Sequence, residues 1–425
     1  MQSSNFLHRV LILCSAALLL QYPFSVFSQS KSDSIAVRAL IDSAANAKSP
    51  QVRIAFAREA YHKAKATNSK HLLADATHSM GNALFRLNSY DAAIDSLQRA
   101  LVLYNIVGDS AGTAKTYYTL GSCYVRKSNY VKAIQLIEES VKLATSINDS
   151  ALLANCYNSL GIVYYTLENF TASIDFFEKA ANYYEKAHSY KNYVRAKGNV
   201  GLSLTKIGNL EGARQIFFST LNSYGKYMDS LMLASFYDNI GFFYESLGKV
   251  DSALYYHNQS LTISKTLSST RGIALSNLAI GRCYTGIAQF GLAIKYLLEA
   301  KRLAKLNGDE DLSAQANRQL STCYEATGDF KNSQKCLKEF LEYTDKTFTK
   351  KLITQVAQLH SMLQIEKQER ENQQLQMQLE LKSLNEQKDK KIITLYTIFS
   401  ILLLLTLSVI VYFAIQLSQK KKLLE

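Results

Sequence analysis

A chain of 425 residues with 48% hydrophobic and 20% charged residues carries enough apolar material for a folded core, which argues against a disordered chain. Two prolines and 18 glycines leave few helix breakers, so helices are expected almost throughout. The formal charge of +13 is scattered at helical spacing, and the tight basic run Lys420 to Lys422 adjoins an apolar segment, so nucleic-acid binding is not expected.

At the N-terminus, Arg9, the apolar run Val10 to Leu20 and the sequence Val26-Phe27-Ser28 read as an export signal over residues 1–28, cut before Gln29. An uncleaved anchor helix is the alternative, although the run is short for a span. Without Cys14, five cysteines remain: Cys123, Cys156, Cys283, Cys323 and Cys336. An odd number without CxxC spacing points to buried free thiols rather than disulfides or zinc.

Beyond the signal the chain repeats itself every forty residues. Glycines stand at 81, 121, 161, 201, 241 and 281, with Ser321 in the seventh place. Seven residues before each come Ala74, Ala114, Ala154, Val194, Ala234, Ala274 and Ala314, and three after come Leu84, Tyr124, Tyr164, Leu204, Tyr244, Tyr284 and Tyr324. Such spacings draw an apolar stripe on a first helix. A second helix carries Ala93, Ala133, Ser173, Ala213, Ala253, Ala293 and Ser333, small enough for close approach. Ser69, Asp109, Asp149, Ser189, Asp229, Ser269 and Asp309 occupy one column, where short oxygen-bearing side chains cap a helix start. The recurrent tyrosines and the column shared by Cys123, Cys283 and Cys323 are expected to be core.

These columns resemble the tetratricopeptide repeat, over Asp33 to about Asp345. The period of forty exceeds that family's commonest length, and its proline near the repeat end is absent. Residues 29–68 read as a degenerate capping repeat, because Ile41 replaces the glycine, and 69–345 as seven repeats. The resemblance implies an all-α fold, a superhelical α-solenoid whose first helices line a groove for a protein or peptide ligand, with no cofactor and no reaction. Carried onto the exposed positions around the glycine column, it selects Arg86, Tyr118, Arg126, Asn158, Tyr165, Asn199, Lys206, Asp238, Asn239, Arg282 and Glu325. Amide and basic groups interleaved with tyrosine suit the backbone and acidic groups of an extended peptide. A merely solvated inner face is the alternative. The histidines, His257 and His360 among them, show no HxxxH pair and no neighbouring carboxylate cluster, so no metal or catalytic site is expected.

Residues 346–391 form a long charged helix in which Leu352, Val356, Leu359 and Leu363, then Leu375 and Leu379, draw an imperfect coiled-coil seam. A homodimer through this stalk is expected; the alternative is one helix packed on the last repeat. Residues 392–417 are uncharged and long enough to cross a bilayer, with Tyr396 and Phe399 near one interface and Tyr412 and Phe413 near the other. An export signal then places the repeats in the periplasm and the tail 418–425 in the cytoplasm, on a single inner-membrane pass. That order resembles the input half of bacterial envelope sensor histidine kinases, but Glu425 ends the chain before a kinase domain begins, so no enzyme activity is expected of these residues. A truncated or split sensor and a static envelope scaffold remain as alternatives.

Overall fold

A computed structural model describes residues 33–424; the export signal expected over 1–28 lies outside the described residues. Helices fill it, and no strand occurs among the described residues. A first pair, α1 (33–46) and α2 (Pro50–Ala66), precedes the forty-residue units. These units are α3 (Lys70–Arg86) with α4 (Tyr90–Val107), α5 (Ser110–Arg126) with α6 (Tyr130–Ser146), α7 (Ser150–Thr166) with α8 (Phe170–Lys186), and α9 (Tyr190–Lys206) with α10 (Leu210–Tyr224). They continue as α11 (Ser230–Ser246) with α12 (Val250–Thr266), α13 (Thr270–Gly286) with α14 (Phe290–Leu306), and α15 (Glu310–Ala326) with α16 (Phe330–Leu424). From α2 to α15 each helix packs on its chain neighbours. First helices also touch the next first helices, α3 on α5, α5 on α7, α9 on α11, α11 on α13 and α13 on α15, whereas the second helices from α4 to α14 do not meet comparably. The first helices therefore line the tighter, inner side of a solenoid.

The repeated glycines have a steric cause. A Cβ added at Gly161 would lie 2.6 Å from the Phe177 ring, and at Gly81 and Gly281 the same distance from Leu97 and Leu297. In each of the six glycine-bearing repeats the side chain sixteen residues on fills the place of the missing methyl. Where Ser321 replaces glycine, Leu337 is 43% exposed and the Ser321 hydroxyl donates to the Ser333 carbonyl instead. Gly161→Val is therefore expected to cost about 1–3 kcal/mol by overpacking. Gly286→Ala, at a helical site with nothing within 4 Å, should instead stabilise by roughly 0.5–1 kcal/mol. Urea midpoints of the two variants, moving in opposite directions, check the point.

Six of the seven expected caps form. Asp109, for example, accepts from the Gly112 amide at 2.9 Å, and Asp229 from Met232 at 2.9 Å. Ser189 makes no such bond, because its hydroxyl accepts the Asn192 side-chain amide at 3.1 Å. The column tyrosines pack between paired helices: Tyr164 stacks on Phe176 at 5.2 Å and Tyr244 on Tyr256 at 5.5 Å. All five described cysteines are free and buried, as the odd count implied.

Between α10 and α11 the pattern loosens. Helix α10 stops at Tyr224 and a 3-10 turn, Gly225–Tyr227, leads to the next cap. Tyr190 stacks on Tyr227 and Tyr193 lies against Tyr224, each pair 4.6 Å apart, filling the widened joint.

After Gln355 the chain divides into a second compact unit. Within it, Gln373–Leu417 contains a stretch long and apolar enough to cross a membrane, and its side chains such as Ile393, Leu404 and Ile410 are exposed. Leu375 and Leu379 are exposed too, while the side chains of Leu352, Val356, Leu359 and Leu363 fall outside the described ones.

Candidate functional site: the first-helix face

Two clefts open on the inner side. The first, of about 390 Å³, is bounded by Lys206 of α9, Phe242 and Glu245 of α11, Arg282 of α13, and Arg318 and Gln319 of α15. It crosses four consecutive first helices, the arrangement that an extended chain would need. Phe242 forms its floor: the Lys206 ammonium sits 4.7 Å from the ring centroid and the Arg282 guanidinium 5.8 Å, both within cation–π range. Lys206 and Arg318 are exposed, so this cleft presents positive charge beside an apolar plate.

Arg282 is held in place by Glu245, with Nε at 2.7 Å from Oε2 and Nη2 at 2.8 Å from Oε1. Behind that pair lies His257 of α12, only 1% exposed. Its Nε2 is 2.8 Å from Glu245 Oε1 and its Nδ1 is 3.0 Å from Asp238 Oδ1. Ser260 donates to Asp238 Oδ2 at 2.7 Å, and Ser276 reaches the same oxygen at 3.2 Å. Burial alone would push His257 down, but the hydrogen bonds to Asp238 and Glu245 outweigh it and its pKa is raised. Burial likewise acts to raise Glu245, and the bonds from His257 and Arg282 reverse that, leaving it lowered. The joint of α11, α12 and α13 is thus a buried ionic network.

The second cleft, of about 580 Å³, lies between α1, α3 and α5. His71 bridges Asp75 at 3.2 Å and Asp109 at 3.1 Å, and the Tyr104 hydroxyl donates to Asp75 at 2.7 Å. Burial lowers the neighbouring His78 to about 4, so that its ring is neutral near pH 7.

The residues selected from the sequence divide accordingly. Lys206 and Arg282 line the 390 Å³ cleft. Asp238 does not face the groove; it turns inward to His257. Arg126 is drawn to the Tyr90 hydroxyl at 3.0 Å, Tyr118 packs against the core around Leu160, and Tyr165 meets Phe170 edge-on at 5.3 Å. Burial raises Tyr165 to about 12. Asn199 and Asn239 are half-buried, Asn158 has an unpartnered buried Oδ1, and Arg86 and Glu325 are exposed. Phe242, Arg318 and Gln319 sit in the selected columns but were not among the selected residues.

His257 was missed for a different reason. In sequence it has no neighbouring carboxylates, and its partners lie 12 and 19 residues away. A signal was present: Leu97, Ile137, Phe177, Phe217, Leu297 and Leu337 hold the same column, so an imidazole there is an outlier.

A tetratricopeptide repeat family model matches residues 72–146 and 112–186. No curated protein matches the chain in sequence. Among solved structures, aspartyl phosphate phosphatase F from Bacillus subtilis is 14% identical with a TM-score of 0.54, covering 68% of this chain and 74% of that one. A Rap protein complexed with Competence and Sporulation Factor is 13% identical at TM-score 0.50, over 76% and 99% of the two chains. The repeat-sensor-bearing signal transduction ATPase of Pyrococcus horikoshii is 16% identical at 0.50, over 70% and 46%. At such identities the likeness is one of fold: a tetratricopeptide-type solenoid of consecutive helix pairs with a long C-terminal helix.

Proposed function

We propose that this protein is a non-enzymatic, membrane-anchored periplasmic module that captures an extended, acidic peptide or protein segment along its first helices and serves in signal sensing. The observation that carries the reading is the cleft across four first helices, where Lys206 and Arg282 sit over Phe242 and Arg318 adds a third cation to the lining. Cations over an aromatic plate favour a segment that alternates carboxylate and apolar side chains. The fold is consistent with this use: the Rap neighbour was solved complexed with Competence and Sporulation Factor. The apolar stretch within Gln373–Leu417 supplies the anchor, and the stalk before it would pair two copies.

Peptides selected from a random display library against the full chain in detergent micelles should bind in a salt-sensitive manner. Lys206→Glu with Arg318→Glu is expected to weaken them at least roughly tenfold, about 1.4 kcal/mol, with the fold unchanged by circular dichroism. Equal affinity in that double variant would remove the cleft from the account. Orientation is tested separately: protease added outside the inner membrane should degrade the repeats, and protection of the repeats there would reverse the topology.

A further inference from the structure

The ionic network behind the cleft belongs to the joint of α11, α12 and α13 and is not carried into the next repeat. Its three charged positions on α11 and α12 correspond in the sixth repeat to Leu278, Thr285 and Leu297, which pack the same place without any charge. Packing does not require the imidazole of His257, which is 1% exposed. Beside it lies a third polar group, the thiol of Cys283 on α13. The nitrogen, oxygen and sulfur donor atoms of His257, Glu245 and Cys283 all lie within 4.8 Å of one another.

We propose that Glu245, His257 and Cys283 form a binding site for a divalent transition-metal cation of the zinc type. An imidazole, a carboxylate and a thiolate are the donors that such an ion prefers, and three protein ligands leave one position open. The surroundings are those of a metal site as well. Asp238 holds Nδ1 of His257 at 3.0 Å, which orients the ring and leaves Nε2 for the metal. Arg282 fixes the Glu245 carboxylate through both oxygens, Nε at 2.7 Å from Oε2 and Nη2 at 2.8 Å from Oε1, and a metal on Oε1 would take the place that the His257 Nε2 proton holds there. Ser260 and Ser276 satisfy the remaining oxygen of Asp238. With metal–ligand bonds of about 2.0–2.3 Å the donors must draw in by roughly 1 Å from their widest separation, a shift within side-chain reach.

Charge balances in both states. Metal-free, Asp238 and Glu245 are offset by imidazolium and guanidinium, with Cys283 a neutral thiol that burial pushes up to about 12. On binding, one proton leaves His257 Nε2 and one leaves the Cys283 sulfur; a dication replaces them, and the sum is again zero. Because Glu245 and Arg282 border the 390 Å³ cleft, the open fourth position lies on the groove side, where water or a donor from a bound segment would fill it.

Cobalt(II) is the probe. Added to the full chain in detergent micelles, one equivalent should give a thiolate-to-cobalt charge-transfer absorption, release about two protons and be displaced by zinc. Cys283→Ala should abolish the absorption; Ala83 occupies that column in the first repeat, so the fold accepts it. If this variant fails to fold by circular dichroism, Cys283→Ser, the residue at Ser203, reports equally, because a hydroxyl gives no such band. Cys323→Ala, in the same column one repeat later, should leave the absorption intact, and Asp238→Asn should weaken the affinity by roughly 10–100-fold. No charge-transfer absorption, or one that survives loss of Cys283, overturns the site. Cobalt bound without sulfur would also overturn it and would shift attention to His71, Asp75 and Asp109.

Discussion

Replacing His257 by alanine is expected to destabilise the metal-free protein by about 3–5 kcal/mol, because it leaves two carboxylates facing each other without their shared cation. Asp238 and Glu245 are only 22% and 15% exposed, so water cannot take over the role of the ring. The size of the loss reflects stranded charge rather than a strong net contribution from the network. A quadruple exchange makes the distinction: Asp238→Leu, Glu245→Thr, His257→Leu and Arg282→Thr import Leu278, Thr285, Leu297 and Thr322 from forty residues on, leave no charge without its partner, and should be close to neutral or stabilising. The pH dependence has a definite sign. His257 is raised above 6.5, so its contribution is present below that value and is lost as pH rises through the folded pKa. Glu245 is lowered below 4.5, so its contribution is present above that value and is lost as pH falls. Urea denaturation of wild type against the quadruple variant should therefore show the network contributing fully between about pH 4.5 and 6.5 and fading above. A difference that does not fade as pH rises above 6.5, or His257→Ala costing under about 1 kcal/mol, would mean that the network carries no net charge coupling.

Phe217→Ala should cost a similar amount, about 3–5 kcal/mol, and should change the manner of unfolding. The ring is fully buried, meets Phe236 edge-on at 5.7 Å and lies 6.1 Å from Phe243, so it joins α10 to α11 as well as filling the space over Gly201. In a solenoid, stability is a sum of repeat terms and neighbour interfaces, so one weak joint can uncouple the two sides. This joint is already the atypical one, with its shortened α10 and its 3-10 turn. Wild type is expected to melt in one transition and the variant in two. Hydrogen exchange should then show the helices on one side of Gly225–Tyr227 opening before those on the other. A single transition displaced by less than 1 kcal/mol would mean that cooperativity does not pass through Phe217.

What the sequence disclosed follows from where its constraints are local. The glycine column is legible because a Cβ at Gly161 or Gly281 has nowhere to go, and that demand recurs in each repeat. The cap column is legible because a cap is made within three residues; Ser189 departs only because Asn192 competes for its hydroxyl. Groove columns could be chosen, but not the orientation of each residue in them. Asp238 turns inward because His257, nineteen residues on, waits to receive it. Arg126 leaves the groove floor for Tyr90, thirty-six residues back. The cleft itself draws on Lys206, Phe242, Arg282 and Arg318, one from each of four repeats, and no single repeat announces that combination.

The most direct test of the groove is to find where a bound segment lies. A photo-reactive side chain at Gln319, which borders the cleft on α15, is compared with one at Leu298, exposed on the second helix α14, using a display-selected acidic peptide. Cross-linking from position 319, suppressed by Lys206→Glu with Arg318→Glu and absent from position 298, is the predicted result. Labelling from 298 with none from 319 would place the peptide on the opposite side of the solenoid and contradict the account.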